Sequence, residues 1–461
     1  MLHIIQESKE QVLSAIKNGR IEACDVSQPN FIDGIILKME ELGVINGLIH
    51  IIDDRRTTNT VIPLEIIWIL AITSKMKVHT SLTDIPYAIM DSEVLSRLGY
   101  TLYDTERDIA NGLMSEGTIR NLLGKYAYHE IISGYNKCVQ SHILPKMKME
   151  ANIHILDCTE LEVELSNKNY EESGVVKIDG ETRRGYKLST LRGLSGDSGI
   201  IEEICFGAIN THDLELSRNM ILNSPMLKPQ DLLINDRGFL SREILNELKI
   251  RRKVDTYIPL RNNMLAYQDA VSIAKTANIW KPHPNRKRKT QQIALVENAG
   301  LMWESEASEN DVPLNACVVW DKKDDDYYVF VTTDISKSAK QIIQTYELRP
   351  EIEEDYRQLK DFWQLEDFKS TKIDVIAFHI ICTLMGYFFF QLYVCTDEGE
   401  CWLGKTLPVI IKKYIPPDKP KSVIVYTDRH FAVFPFIEFL HLYASLEINA
   451  RSVLDAAFSV L

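Results

Sequence analysis

Residues 346–360 read YELRPEIEEDYRQLK, and the rest of the chain is best read outward from them. Placed on one helix with Tyr346 as zero, Arg349 falls at about −60°, Glu353 at about −20°, Arg357 at about +20° and Lys360 at about −40°. These polar groups share one face, roughly 80° wide. Beside it runs an apolar stripe of Ile352, Tyr356, Leu359 and Trp363, the spacing of a helix that docks on a core. One face docks while the other presents a carboxylate ringed by cations and a phenol, which is what holding a metal ion and nearby phosphates requires. Pro350 fits the first turn of a helix and not its middle, so a restart there would leave Tyr346 and Arg349 on a preceding turn.

Two earlier segments end a β-branched run in aspartate. ILDCTELEV carries Asp157, and LLINDRGFLS carries Asp236. A strand end is a rigid base for a ligand. From about residue 151 the chain shows short strand-like runs (NIHILD, GVVKIDG, RGYKLSTLRGL, EEICFGAIN), then helical LELSRNMILNS, the strand DLLIND and the helix SREILNELKI. Strands first and alternation afterwards predict a mixed sheet covered by helices. Residues 262–335 interrupt with a basic run and the strands IALVEN, NACVVWDK and YYVFVTTD, the last two flanking a hairpin turn at Lys322–Asp326. The chain is helical again from Ser336. Residues 1–150 read as mostly helical, with PLEIIWILAITSKMKV from Pro63 and two short helical patterns in ERDIANGLMSEGTIRNLLGKYA. Ser115 is the expected N-cap of the second pattern. Its Thr118, Arg120, Asn121 and Lys125 face DNA if this is a helix-turn-helix, and solvent if it is an ordinary surface helix.

Tyr346, Arg349, Glu353 and Lys360 match Tyr-x2-Arg-x3-Glu-x6-Lys without a gap. This resembles the signature of the insertion-sequence-four type of DDE transposases. The Asp157 segment resembles that family's first catalytic strand, and the Asp236 segment resembles its strand ending in Asp-Arg-Gly-aromatic. The resemblance covers roughly residues 150–395, and Pro350 stands where the family often has a bulky aromatic. It implies an α/β chain with a ribonuclease H-like catalytic core in two parts, 151–261 and 336–395, split by a β-rich insertion at 262–335. A mostly helical N-terminal domain (1–150) would bind DNA ends, and a C-terminal region (396–461) would serve dimerisation. Catalysis and metal binding fall to Asp157, Asp236 and Glu353. DNA binding falls to Tyr346, Arg349, Arg357 and Lys360 and to the run Arg286, Lys287, Arg288 and Lys289. The implied cofactor is a pair of Mg2+ ions, for which Mn2+ substitutes. The implied partners are double-stranded DNA, at the inverted-repeat ends and at the target, and a second copy of the chain. The implied reaction is cut-and-paste transposition through hairpin ends, with Trp280 or Trp303 holding a flipped base. The expected place is the prokaryotic cytoplasm, beside the nucleoid and off the membrane.

The formal net charge of −13 by itself argues against a nucleic-acid partner. Affinity follows local clusters, however, and Arg251–Lys253 and Arg286–Lys289 are such clusters. The eight cysteines form no CxxC pair and fit a reducing compartment. The N-terminus lacks the apolar stretch of a signal peptide. Val375–Cys395 is long enough to span a bilayer, but it carries His379 and Gln391, and a helix buried in a core is the better reading. Rival carboxylates read as solvated charge: Asp324–Asp326 in a turn, Asp179 and Glu181 beside Arg183 and Arg184, and Glu160 and Glu162 on a strand. Magnesium prefers oxygen donors, so three carboxylates suffice without His or Cys. The alternatives are a domesticated DNA-binding protein without catalysis, which would not need Glu353, and a membrane-associated protein built around 375–395.

Overall fold

The computed structural model describes residues 6–56, 62–79, 81–88, 92–98, 115–147, 150–178, 180–195, 198–299, 311–414 and 420–458. It divides into two compact units, one of residues 1–131, 361–370 and 374–461, the other of residues 132–360 and 371–373.

In the first unit β1 (Gln6–Glu7), β2 (Ala23–Ser27), β13 (Ser422–Tyr426) and β14 (His430–Pro435) form a sheet in the order β1-β14-β13-β2. β1 runs parallel to β14, and the other two pairs are antiparallel. Val12 and Ile16 of the helix Lys9–Lys17, Phe439 of Phe436–Ser445 and Leu454 of Ile448–Phe458 pack with Cys24, Val423, Val425 and Phe434. The region read as mostly helical thus also holds two short strands, whose ladder partners lie near the other end of the sequence. The helix Ile373–Val394 belongs to this unit past its first residue. It is apolar all round, and 89% of its most apolar window is buried, as expected of a core helix. Phe378 packs on Trp68 at 5.2 Å between ring centroids. Gly386 lets Trp363 approach, since a methyl group there would stand 3.0 Å from its ring.

The second unit is built on one mixed sheet. Its path runs β4 (Gly174–Ile178), β5 (Glu181–Ser195), β3 (Ile153–Val163), β7 (Leu232–Asn235), β8 (Asp255–Pro259), β12 (Asp326–Thr332), β11 (Asn315–Asp321), β10 (Gln291–Val296) and β9 (Lys281–Pro282). A tenth strand, β6 (Ser198–Ala208), shares with β4 the edge of β5 that β3 leaves open. β5 runs antiparallel to both β3 and β6, whereas β7 is parallel to β3 and β8 to β7. β11 and β12 form the expected hairpin, and β12 joins that segment to the sheet by pairing with β8. The helices Ala339–Tyr346 and Pro350–Asp361 bury Ile342, Ile343, Ile352 and Tyr356 against Ile155, Leu194, Ile234 and Val319 on one face. On the opposite face, helices Asp213–Asn223, Arg242–Glu247 and Leu265–Ala277 cover Leu156, Leu191, Leu233 and Ile258.

His154 of β3 is fully buried between two acids, Nδ1 lying 2.9 Å from Glu202 Oε2 and Nε2 3.2 Å from Asp231 Oδ2. Burial lowers its pKa, but Asp231 and Glu202 outweigh that and bring it up to about 9. A histidine whose pKa rises on folding lends stability that is complete below its unfolded value of about 6.5 and is lost as pH climbs through the folded value. The free energy of unfolding from urea titrations should therefore fall between pH 7 and pH 10, by on the order of 3 kcal/mol. His154→Gln should be less stable at pH 7 and should lack this alkaline step. The same alkaline profile in both proteins would assign the titration elsewhere.

Candidate functional site

β3 and β7 pair in parallel with Leu156 opposite Asn235, so Asp157 and Asp236 leave the paired segment side by side. Side chains alternate along a strand. Asp157 therefore shares the face of Ile155, under the helix Pro350–Asp361, while Leu156 packs on the other face. Asp236 caps the short turn Arg237–Phe239 in extended backbone, at φ −81° and ψ 166°. Glu353 comes from the helix Pro350–Asp361, which docks through the stripe read from sequence: Ile352, Tyr356 and Leu359 are buried.

The helix does restart at Pro350. The preceding helix ends at Tyr346, and Arg349 lies in the turn between. Placing all four signature residues on one continuous helix is therefore corrected, because a mid-helix proline lacks its N–H and clashes with the preceding turn. The break lets Arg349 reach in among the acids. Its Nη2 lies 2.7 Å from Asp157 Oδ2 and 3.8 Å from Asp236 Oδ2, and its Nη1 lies 2.6 Å from Glu353 Oε1. One guanidinium thus bridges three carboxylates drawn from two strand ends and a helix. Among the described residues no three acidic, His or Cys side chains stand ready to hold an ion. With Arg349 between them, these acids are set around one positive charge instead.

Asp157 is the most enclosed of the three. Burial pushes its carboxyl up, Arg349 and the Cys158 N–H (2.8 Å) pull it down, and Asp236 and Glu353 push it up again, leaving it at about 6. Burial also pushes the Tyr346 phenol well up, so it stays neutral, with its ring packed on Phe330 at 4.6 Å. The other expected DNA contacts are placed differently. Arg357 pairs with Glu354 at 2.6 Å. Lys360 Nζ donates to the Glu160 carbonyl at 2.6 Å. Arg286–Lys289 are exposed, and Arg288 Nε lies 3.1 Å from Glu347 Oε1, which ties the run to the end of the helix Ala339–Tyr346. Asp324–Asp326 are exposed around the hairpin turn. Trp280 is partly buried against Trp320 and Tyr327. Asp179, Trp303 and the first of the two short helical patterns lie outside the described residues. The second pattern forms the helix Glu116–Leu123 with Ser115 as its N-cap residue.

One contributor escaped the sequence reading. Tyr356 counted only as part of the apolar stripe, yet its hydroxyl donates to the Asp157 carbonyl (2.7 Å) and accepts from Thr190 Oγ1 (2.6 Å). A tyrosine where phenylalanine would pack equally well was the available signal.

Two strand-end aspartates and a helix-borne glutamate on a mixed sheet define an α/β protein with an all-oxygen acidic centre, a donor set suited to hard divalent cations. Residues 150–389, just over half of the chain and including all three acids, match the family model of the transposase DDE domain. The chain belongs to that family and is a transposase, a class that acts on DNA and generally uses divalent metal ions. No curated protein matches it.

Proposed function

We propose that this transposase cuts DNA at the inverted-repeat ends of a mobile element and joins the freed ends to target DNA, with Asp157, Asp236 and Glu353 as its catalytic acids. The observation that carries this is the single guanidinium of Arg349 held by all three carboxylates. A site that already gathers three acids around one cation fits divalent metal, with two Mg2+ ions as the working stoichiometry and Mn2+ as a substitute. When bound, such ions activate the attacking oxygen and stabilise the leaving one. The strand ends hold Asp157 and Asp236 rigidly, and Glu353 closes the set from the helix. Arg349, once exchanged from the acids, offers a planar fork to phosphate oxygens. Tyr346, neutral, donates a hydrogen bond, and Arg357, Lys360 and Arg286–Lys289 extend the cationic track along DNA. Water attacks the phosphorus and the bond to the 3′ oxygen breaks, freeing a 3′-hydroxyl. That hydroxyl then attacks a phosphorus of the opposite strand, expelling the flanking DNA's 3′ oxygen to give a hairpin, which water reopens before insertion. The order β6-β5-β3-β7-β8 supports a ribonuclease H-like core, and the Tyr346-to-Lys360 spacing supports the insertion-sequence-four type. A homodimer would hold the two ends, in the cytoplasm beside the nucleoid. The test is incubation with linear DNA bearing the element's own ends, in Mg2+, Mn2+ or chelator. Metal-dependent nicks with 3′-hydroxyl ends and hairpin products are expected; intact DNA in both metals overturns the proposal.

Replacing Arg286, Lys287, Arg288 and Lys289 together by Ala should lower the slope of log affinity against log salt by about three. End binding at physiological salt should weaken by about tenfold or more. Asp324→Asn, at the hairpin turn, should leave affinity nearly unchanged. Equal and opposite small effects of the two changes would reduce the basic run to a general charge effect.

A further inference from the structure

We propose that Arg192 is a positioning residue: it sets the roll of the helix Pro350–Asp361 about its axis and thereby places the Glu353 carboxylate. The inference rests on the reading of Glu353 given above.

Arg192 lies in β5 and is 6% exposed. Its Nε donates to Asp355 Oδ2 at 2.6 Å and its Nη1 to Glu351 Oε2 at 2.8 Å. Asp355 is buried as well, at 4% exposure. Putting an Arg–Asp pair out of water is costly, and apolar residues of similar volume often serve stability as well or better. The helix already has an apolar stripe to dock by, so stability alone gives no reason for the pair. What an apolar stripe lacks is direction. It holds a helix down but tolerates some roll, whereas two charge-assisted hydrogen bonds from one guanidinium fix orientation.

The sheet is shaped around this contact. The register of β5 against β6 slips by one residue between Leu191 and Arg192, and such bulges re-aim side chains beside functional sites. Across that bulge a methyl group on Gly199 would overlap the guanidinium, so the bare backbone there leaves Arg192 its place. Glu351 and Asp355 are one turn apart on the same side of the helix, and Glu353 points about 180° away from their midpoint. Arg192 therefore grips the back of the helix while Glu353 works at its front. With the carboxylate about 5–6 Å from the axis, a 10° roll moves it about 1 Å. Displacements of that size in a reacting group cost roughly 100-fold in rate. Tyr356 supplies the second fixed point through the Asp157 carbonyl, so the first and third acids are referenced to one another.

The decisive variant is Arg192→Met combined with Asp355→Leu, which replaces the buried pair by apolar side chains. It should melt at or above the parent temperature and bind DNA ends as the parent does. Its kcat for end cleavage should fall about 100-fold at unchanged KM. Electron paramagnetic resonance titration of the DNA-free protein should show Mn2+ affinity reduced about tenfold. Arg192→Lys keeps the charge but loses the fork, and should show an intermediate loss of Mn2+ affinity without a lower melting temperature. Parental kcat and Mn2+ affinity in the folded double variant would make Arg192 a packing residue and overturn the assignment. If the double variant does not fold, parental Mn2+ affinity in Arg192→Lys overturns it equally. A parent that binds Mn2+ but cuts no DNA would overturn the proposed function and leave the Mn2+ affinities to decide the role of Arg192. A parent that binds no Mn2+ overturns both.

Discussion

Asp157→Asn, Asp236→Asn and Glu353→Gln are each expected to reduce strand cleavage by about 1,000-fold or more, because a site that stabilises charge at reacting oxygens contributes several kcal/mol. Each change keeps the shape of the side chain and removes one negative charge from a set of three. Divalent metal is held by few carboxylates, so the loss of one is not absorbed by the others. End binding should persist, and on the proposed reading even tighten slightly, since each variant removes a negative charge that would face the DNA phosphates. Gel-shift titration and cleavage assays on the same preparations separate the two effects. Parental cleavage by any one of the three variants would remove that residue from the catalytic set.

Arg349→Met is expected to give the second largest effect, on stability. Three convergent acids repel one another in the metal-free protein. In the structure Arg349 lies between them and offsets that repulsion. Without it, like charges meet around the enclosed Asp157. The metal-free protein should lose roughly 2–4 kcal/mol, as when one partner of a largely buried ion pair is removed. Metal should recover more in the variant than in the parent, because binding to the folded state relieves the added repulsion. The pH dependence has a definite sign. Asp157 already has its pKa raised to about 6 on folding, so above that value it carries its charge at a cost that protonation relieves. The deficit of Arg349→Met should therefore be largest near pH 8 and shrink as pH falls toward 6. Melts in chelator and in Mg2+ at pH 5.5 and 8 check this. Identical chelator melts for parent and variant at pH 8 would show that Arg349 does not bridge the acids.

Much of the candidate site was legible because its parts resemble a family's motifs and also carry local signals. Asp157 and Asp236 end β-branched runs, and Glu353 sits beside an apolar stripe of helical period, so each could be placed on its element before any contact was known. The stretch from Val375 was likewise readable as a core helix from its even apolarity. What escaped was relational. A turn at Pro350 decides where Arg349 points, and helical angles cannot express a turn. Arg192 reads as one more polar residue in a strand until the helix opposite it is known. Strand β2, the five residues ACDVS with an aspartate in the middle, has no pattern strong enough to announce a strand, and its ladder partner is β13, about 400 residues away.

That distance has a kinetic meaning. At a synthesis rate of about 5–20 residues per second, roughly 20–80 seconds separate the emergence of β2 from that of β13. Throughout that interval Ala23 and Cys24 lack their sheet partners, and an unpaired strand edge is open to wrong pairings. All segments of the sheet centred on β3 have by then left the ribosome, so that sheet can close first. The terminal sheet is the part of a nascent chain for which a holding chaperone has most to do, and the part where an early stop would leave β2 with nothing to pair with.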